Sequence, residues 1–207
     1  MDGSKAKGYR FQADWFSHVA PSWQLLFGQI GWNSSTPKTI IEIGCFEGKA
    51  TVWMLNNLIG AAGSEVHCID RFAASPGTLQ WDFDQVRDAF THNVGLTGKG
   101  SMVTLHESES FPRLVALYTQ GLRADFIYVD GSHRARDVLA DLVMAFEIAK
   151  PGGLIICDDY LWVRESDIEV DILNTPKIAV DAFVNIYRRE IEICSRVPLY
   201  QFAFRRK

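Results

Sequence analysis

The stretch that decides the fold is Ile40–Thr51, which reads IIEIGCFEGKAT. Its first residues form a mostly apolar run typical of a buried strand, and its last residues begin a helix. In the turn between them, Gly44 can take backbone angles closed to other residues, and Gly48 lets the helix start close to the strand. Such a turn presents the first helix amides to the crevice where sheets of this kind bind ligands. The alternative is a tight connection without a ligand.

Strand and helix patterns alternate along most of the chain, which predicts a Rossmann-like α/β fold with a doubly wound, mostly parallel sheet. Between Val138 and Ala149 apolar residues recur every three or four positions, as on the buried face of a helix, and Lys150–Gly153 ends that helix. The predicted strands are Thr39–Ile43, Val66–Ile69, Met102–Leu105, Phe126–Val129 and Leu154–Cys157.

The N-terminal part of the chain differs from this alternating core. Residues 11–30 carry aromatic and apolar side chains at roughly helical spacing, and Pro21 is the expected start of a second helix. Residues 1–36 are therefore predicted to form a helical cover on a Rossmann-like core of residues 37–207. No linker or repeat interrupts the core, so the whole chain is predicted to be one domain.

At the C-terminal end, residues 190–197 and 199–204 have the pattern of two strands separated only by Pro198. So short a link predicts an antiparallel hairpin at the edge of the sheet. This hairpin and the aromatic N-terminal helices are both candidate faces for a homodimer.

The composition excludes several classes of protein. A length of 207 residues, with 47% hydrophobic and 22% charged residues, suits one globular domain. A formal net charge of −4 argues against nucleic acid or an anionic membrane as a partner. No apolar run is long enough to span a bilayer, and no signal peptide is visible. The four scattered cysteines are expected to be reduced core thiols of a cytoplasmic protein.

The turn also discriminates between ligands. The dinucleotide fingerprint G-x-G-x-x-G is absent, because Phe46 stands where its second glycine would let a pyrophosphate approach. A phosphate-binding loop is absent as well, because Lys49 is followed by Ala50. An NAD-dependent oxidoreductase is therefore disfavoured. The second predicted strand ends in Asp70, which can accept hydrogen bonds from both hydroxyls of a ribose or can cap the following turn.

Acidic residues follow the fourth and fifth predicted strands, in the stretches DFIYVDGSH (residues 125–133) and GGLIICDDY (residues 152–160). If these strands are parallel neighbours, Asp130, Asp158 and Asp159 crowd one end of the sheet. Their mutual repulsion protonates at least one of them unless a cation joins them, and oxygen ligands suit Mg²⁺. Alternatively, the side chains point apart, Asp159 caps a turn and Ser132 caps the next helix.

The pattern E-x-G-x-x-x-G at residues 42–48 resembles the first motif of the class I S-adenosylmethionine-dependent methyltransferases. In that family the turn wraps the methionine end of the cofactor, an acid at the end of the second strand holds the ribose, and the end of the third strand contacts adenine. The cofactor-binding residues that the resemblance implies are Glu42, Gly44, Phe46, Glu47, Gly48, Asp70, Arg71, Ser108 and Asp130.

The motifs D-G-S-H and P-G-G-strand-D-D-Y resemble those of metal-dependent small-molecule O-methyltransferases of the macrocin, mycinamicin and novobiocic acid type. The likeness runs from about Asp14 to the closing strands. It implies that Asp130, Asp158 and Asp159 hold Mg²⁺, that the metal binds the acceptor hydroxyl, and that His133 is the base, with Asp130 at the catalytic centre. The chain lacks the lysine and the D-N pair of the catechol-type enzymes, and it is shorter than the sugar-modifying relatives.

The implied reaction transfers a methyl group from S-adenosylmethionine to a hydroxyl of a small molecule or sugar. A divalent cation lowers the pKa of the hydroxyl, and a neutral imidazole accepts its proton. Two alternatives stay open. A metal-independent methyltransferase of the same fold, acting on another atom, would not need the three acids. A non-catalytic nucleotide-binding or partner-binding domain could keep the fold alone.

The acceptor itself is not identified by the sequence. Two loops at the ligand-binding end of the sheet, residues 71–83 and 161–176, are candidates for its pocket. The candidate lining residues, in these loops and in the N-terminal cover, are Trp15, Phe16, Trp81, Trp162 and Arg164.

Overall fold

A central sheet organises the chain in the computed structural model, which describes residues 8–74, 80–164, 170–195 and 197–207. The strands are β1 (Thr39–Ile43), β2 (Glu65–Asp70), β3 (Val103–Glu107), β4 (Ala124–Val129), β5 (Ala149–Cys157), β6 (Ile191–Ile193) and β7 (Phe202–Arg206). The α-helices are α1 (Ala20–Gln29), α2 (Lys49–Asn57), α3 (Phe83–Leu96), α4 (Ser110–Thr119), α5 (Ala135–Ile148) and α6 (Pro176–Tyr187).

The seven strands lie in the order β3-β2-β1-β4-β5-β7-β6. Strands β1 to β5 pair in parallel, whereas β7 runs antiparallel to both β5 and β6. The direction of winding reverses between β1 and β4, and at such a point the loops after neighbouring strands turn apart and open a crevice. The predicted doubly wound, mostly parallel sheet is confirmed.

Helices cover both faces of the sheet. Helices α1, α2 and α3 share a buried core with one face, and α4, α5 and α6 share a second core with the other. Strands buried on both faces read as continuous apolar runs, which is why the sequence revealed them. At the centre of the first core, the fully buried ring of Trp23 meets those of Phe126 and Tyr128 edge-on, at centroid distances of 5.4 and 4.8 Å.

The C-terminal hairpin pairs as predicted, but its strands are shorter and its connection is longer. The strands end at Ile193 and begin again at Phe202, instead of being separated by Pro198 alone. The last bond of the ladder runs from the N–H of Cys194 to the carbonyl of Ala203 (2.9 Å), four residues before Pro198, which has no N–H to offer to a strand partner. The carbonyl of Pro198 instead accepts a hydrogen bond from the N–H of Gln201 in a turn (2.9 Å).

The prediction of two N-terminal helices is wrong for the described residues, which hold one helix before β1. Pro21 lies in the first turn of that helix, α1, as expected. The preceding segment, Gly8–Asp14, is irregular and crosses the glycine turn. Its backbone amides bond to side chains elsewhere in the chain, at Glu47 and Asn93, instead of to helical carbonyls. The aromatic rings of this segment, Tyr9 and Phe11, are half-buried and stack on each other with centroids 5.6 Å apart, without a helical period.

The four cysteines are free thiols, and Cys45, Cys68 and Cys157 are buried in the core. Burial raises the pKa of the Cys68 thiol, so it stays protonated. None of the helices in the described ranges is long and apolar enough to cross a membrane.

Candidate active site

The glycine turn after β1 packs against the end of β4. The N–H of Asp130 donates to the carbonyl of Ile43 (2.8 Å). Gly44 has φ +82°, and a Cβ there would lie 2.0 Å from the carbonyl oxygen of Asp130. Gly48 has φ +78°, and a Cβ there would lie 2.9 Å from the ring of Phe90. Both positions therefore require glycine, and the turn brings the backbone of Asp130 to the crevice.

Asp70, at the end of β2, holds the turn in place. Its Oδ2 accepts hydrogen bonds from the N–H groups of Cys45 (3.0 Å) and Phe46 (2.9 Å), and its Oδ1 accepts one from Phe72 (2.8 Å). Phe46 has φ +46°, a conformation that few residues other than glycine adopt. A carboxylate has about four acceptor positions, so these bonds leave about one for a ribose. The ribose contact stays a prediction.

Glu42 lies beneath the turn and is almost fully buried. Its Oε2 accepts a hydrogen bond from Oγ1 of Thr51 (2.5 Å) and lies 3.5 Å from Sγ of Cys68. Burial raises the pKa of Glu42 to about 8, against the opposing effect of these two hydrogen bonds. At neutral pH the side chain of Glu42 is therefore mostly protonated and uncharged.

The carboxylate of Glu47, predicted to line the cofactor site, is bound by the N-terminal segment. Oε2 accepts from the N–H groups of Gln12 (2.7 Å) and Ala13 (3.5 Å), and Oε1 accepts from Nε2 of Gln12 (3.1 Å). The backbone carbonyl of Glu47 accepts from Nδ2 of Asn93 (2.8 Å). Neither Gln12 nor Asn93 lies in a recognisable motif, so sequence patterns did not reveal them.

A cleft opens between the glycine turn and the N-terminal segment. Its lining residues are Ala13, Trp15, Phe16, Glu42, Gly44, Cys45, Phe46, Glu47, Lys49, Ala50, Tyr128 and Asp130. At its mouth the exposed ring of Trp15 lies 5.0 Å from that of Phe46 and 5.8 Å from that of Trp81. Two candidate pocket residues, Trp15 and Phe16, thus line the cleft. The predicted turn Ser75–Gly77 lies outside the described residues.

Arg71 and Ser108, two further predicted cofactor residues, lie at the same edge of the sheet. The guanidinium of Arg71 binds the carboxylate of Glu109 (3.1 Å) and the carbonyl of Ala74 (2.9 Å). The N–H of Ser108 donates to the carbonyl of Asp70 (3.1 Å), which ties the end of β3 to the end of β2. Their contact with a cofactor stays a prediction.

The carboxylates of Asp130 and Asp158 lie at adjacent strand ends, as the strand order requires. The N–H of Asp158 donates to the carbonyl of Val129 (2.9 Å). Burial, together with the charges of Asp158 and Asp159, raises the pKa of Asp130 well above its ordinary value. Burial and the charge of Asp159 also raise the pKa of Asp158. The crowding of like charges expected from the sequence is present.

These carboxylates do not converge on a common point. Oδ2 of Asp158 accepts hydrogen bonds from the hydroxyl of Tyr128 and from Nε2 of Gln201 (3.0 Å), and Oδ1 accepts from the N–H of Asp159 (2.8 Å). Across the parts of the chain that the structure describes, no group of three His, Cys, Asp or Glu side chains could hold a metal ion. In this arrangement the predicted ligand set does not fit a metal centre. Both carboxylate oxygens of Asp158 and Oδ2 of Asp159 are bonded within the protein.

His133 and Asp159 form a pair beside these acids. Nε2 of His133 lies 2.7 Å from Oδ2 of Asp159, and the imidazole stacks on the ring of Trp162 with centroids 4.0 Å apart. Asp159 has φ +56°, and its carbonyl accepts from the N–H of Trp162 (2.8 Å), so a tight turn places both side chains against His133. The alternative in which Ser132 caps α5 is wrong, because α5 begins after Arg134.

Comparison with known families identifies one match. A family described as a methyltransferase domain matches residues 41–160, more than half of the chain. The matched part begins in β1 and ends just after Asp159, so it includes the glycine turn and both acidic strand ends. No curated protein matches the chain significantly in sequence.

Several solved structures share the fold. An O-methyltransferase from Bacillus cereus, solved with S-adenosylhomocysteine, is 17% identical with a TM-score of 0.65, covering 99% of this chain and 87% of its own. TomG from Streptomyces achromogenes, an O-methyltransferase of tomaymycin synthesis solved with S-adenosylmethionine, is 15% identical (TM-score 0.66; 99% and 85% covered). A putative rRNA methylase from Clostridium thermocellum is 15% identical (TM-score 0.64; 90% and 97% covered). These similarities show the fold alone.

Proposed function

This chain belongs to the methyltransferase family, and from that premise we propose that it transfers a methyl group from S-adenosylmethionine to a hydroxyl of a small molecule or sugar. His133 is the general base in this proposal. The observation that carries it is the position of the His133–Asp159 pair beside Asp130, whose backbone also packs on the glycine turn. Donor site and base therefore lie at one end of the sheet.

The cleft suits the proposed donor. S-adenosylmethionine supplies a methyl group on a positively charged sulfur, which leaves with the bonding electrons as a neutral thioether. The side chains of Asp130 and Tyr128 bring a carboxyl group and a hydroxyl to the cleft, and the rings of Trp15 and Phe46 offer faces for a cation or a flat base. Two of the structures that share the fold contain this cofactor or its product.

The paired side chains suit proton removal. Asp159 binds Nε2 of His133, so the proton of the acceptor hydroxyl goes to Nδ1 as its oxygen attacks the methyl carbon. The carboxylate then neutralises the imidazolium that forms. Stacking on Trp162 restricts the imidazole to one plane, so that the chain supplies orientation as well as basicity.

The magnesium ion implied by the resemblance stays a prediction, and the proposed proton transfer uses only His133 and Asp159. Repulsion between Asp130 and Asp158 is the feature that a cation would relieve. Activity measured in EDTA, with and without added Mg²⁺, decides the point. Activity that returns only with Mg²⁺, and is lost in Asp158→Asn, would add the cation to the mechanism. Activity unchanged by EDTA would leave His133 and Asp159 as the proton acceptor.

The decisive experiment has two parts. Thermal unfolding with S-adenosylhomocysteine tests the donor site, because a ligand at about 100 times its dissociation constant stabilises the fold by roughly 2.7 kcal/mol. Transfer of a labelled methyl group to a panel of hydroxyl compounds tests the reaction. Stabilisation with transfer to a nitrogen acceptor would favour the alternative enzyme, and stabilisation without any transfer would favour a non-catalytic domain. Absence of stabilisation would sink the proposal.

Partner and location also stay predictions from sequence. The net charge of −4 supports a small-molecule acceptor over nucleic acid, and a homodimer and a cytoplasmic location remain to be measured.

A further inference from the structure

Lys49, the first residue of α2, is the only positively charged side chain among the described residues that line the cleft. Its Nζ lies 2.6 Å from Oδ2 of Asp14 and 5.1 Å from the centre of the Phe11 ring. The lysine side chain is only 18% exposed, whereas that of Asp14 is 44% exposed. The cation is therefore enclosed by the N-terminal segment, and its partner reaches solvent.

The other ionisable groups of the cleft are acidic. Glu42, Glu47 and Asp130 all line it, and Glu42 and Glu47 are almost fully buried. None of these three side chains can carry a positive charge that would attract a ligand carboxylate. Lys49 is thus the position where a ligand carboxylate gains an attractive partner.

We propose that Lys49 binds the carboxylate at the methionine end of the cofactor, and that Asp14 holds this lysine until the cofactor displaces it. The inference rests on the proposed function, because it takes S-adenosylmethionine as the donor. It assigns a binding role to a residue for which no motif provides one.

Replacement of the Asp14 carboxylate by the cofactor carboxylate leaves the charge around Lys49 unchanged. An enclosed ammonium needs a counter-anion, and one carboxylate replaces another at Nζ, so no charge is left buried alone. Asp14 is close enough to solvent to return to water at little cost. Desolvation raises the pKa of Asp14, but the hydrogen bonds from Lys49 and Ser17 together have the larger, opposite effect and bring it to about 2. The competing carboxylate is therefore charged at neutral pH.

Asp14 is also held near the lysine. The two residues that precede it bond to Glu47 through their N–H groups, so the carboxylate competes at a high effective concentration. Asp14 therefore weakens cofactor binding, and its removal strengthens it.

The test compares S-adenosylmethionine with its decarboxylated form, which keeps the sulfonium and the amine and lacks only the carboxylate. Calorimetric titration measures both dissociation constants for the wild type, Lys49→Gln, Asp14→Asn and the control Lys150→Gln. Lys150 pairs with Asp125 (2.7 Å) and does not line the cleft. We expect Lys49→Gln to bind S-adenosylmethionine about tenfold more weakly and the decarboxylated form within about twofold of the wild type.

Asp14→Asn should bind S-adenosylmethionine severalfold more tightly and leave the decarboxylated form unchanged. It keeps an acceptor for the N–H of Ser17 and provides a second route if Lys49→Gln fails to fold. Equal changes for both ligands in Lys49→Gln, or unchanged binding in both variants, would overturn the inference and leave the proposed function standing. If the wild type binds neither ligand, the proposed function fails and the inference fails with it.

Discussion

Oδ2 of Asp159 lies 2.7 Å from Nε2 of His133, across 26 residues of chain that include the whole of α5. The contact joins the end of β4 to the end of β5, two strands paired in parallel. The sequence predicted Asp159 as a metal ligand and His133 as the base. In the structure the two side chains are partners of each other. The proposed proton acceptor is thus a pair of side chains from adjacent strand ends.

Loss of either member of this pair should reduce methyl transfer without weakening cofactor binding. We expect His133→Asn to lower kcat by about 10²–10⁴-fold, the usual contribution of a general base. Asp159→Asn is a well-matched variant, because asparagine tolerates the positive φ at this position. Steady-state kinetics and titration with S-adenosylhomocysteine provide the two readouts. A variant with wild-type kcat would exclude that residue from the mechanism.

Substitution of Gly44 should destabilise the protein far more than strain alone explains. In Gly44→Ala the added Cβ would lie 2.0 Å from the carbonyl oxygen of Asp130, and the backbone of β4 would have to move. Gly98→Ala is the matched control, since Gly98 has φ +72° with open space around it and should cost about 1–2 kcal/mol. Urea unfolding measures both, and similar costs would contradict the close packing described.

Stability should fall as pH rises through the neutral range. Glu42 has its pKa raised from 4.5 to about 8 in the folded chain, so the folded state binds more protons than the unfolded state between these values. The stabilisation is complete below about pH 4.5 and lost by about pH 8, with a slope approaching about 1.4 kcal/mol per pH unit. Asp141, with its pKa raised to about 7, acts in the same direction.

Glu42→Gln should flatten this dependence, because glutamine occupies the same space without titrating. Urea unfolding of the wild type and the variant at pH 5, 6, 7 and 8 measures the slopes. Asp141→Asn provides the second comparison. Its dependence of stability on pH should be flatter than that of the wild type below about pH 7 and should match that of the wild type above about pH 7. A slope in Glu42→Gln as steep as that of the wild type would show that Glu42 is ionised in the folded protein.

Removal of the Asn93 side chain should release the N-terminal segment. Asn93 is fully buried, bonds to both backbone groups of Arg10 (2.7 and 2.8 Å) and donates to the carbonyl of Glu47. We expect Asn93→Ala to cost about 2–4 kcal/mol and to speed tryptic cleavage after Arg10. Asn185→Ala, on the exposed surface of α6, is the control. Equal cleavage rates would mean that other contacts hold the segment.

The sheet, the turn and the strand-end acids could be predicted because their signals are local. The run before Gly44 is apolar because β1 is buried on both faces, and glycine occurs where φ is positive and backbone comes close. Asp130 and Asp158 follow such runs directly, so their place at one edge follows from the parallel sheet. The spacing of the N-terminal aromatic residues did not predict the irregular segment Gly8–Asp14, because its backbone amides bond to Glu47 and Asn93, which are distant in the sequence.

The sequence by itself determined which elements form and at which edge of the sheet the acids meet. Only the tertiary structure decided which partner each polar side chain takes. Glu47 bonds to Gln12 across 35 residues, and Asp158 bonds to Gln201 across 43. Hydrophobic periodicity is a property of neighbouring residues, whereas a buried carboxylate bonds to whichever donor the packed chain brings within about 3 Å. That choice depends on every element between the two residues, and no short stretch of sequence contains it.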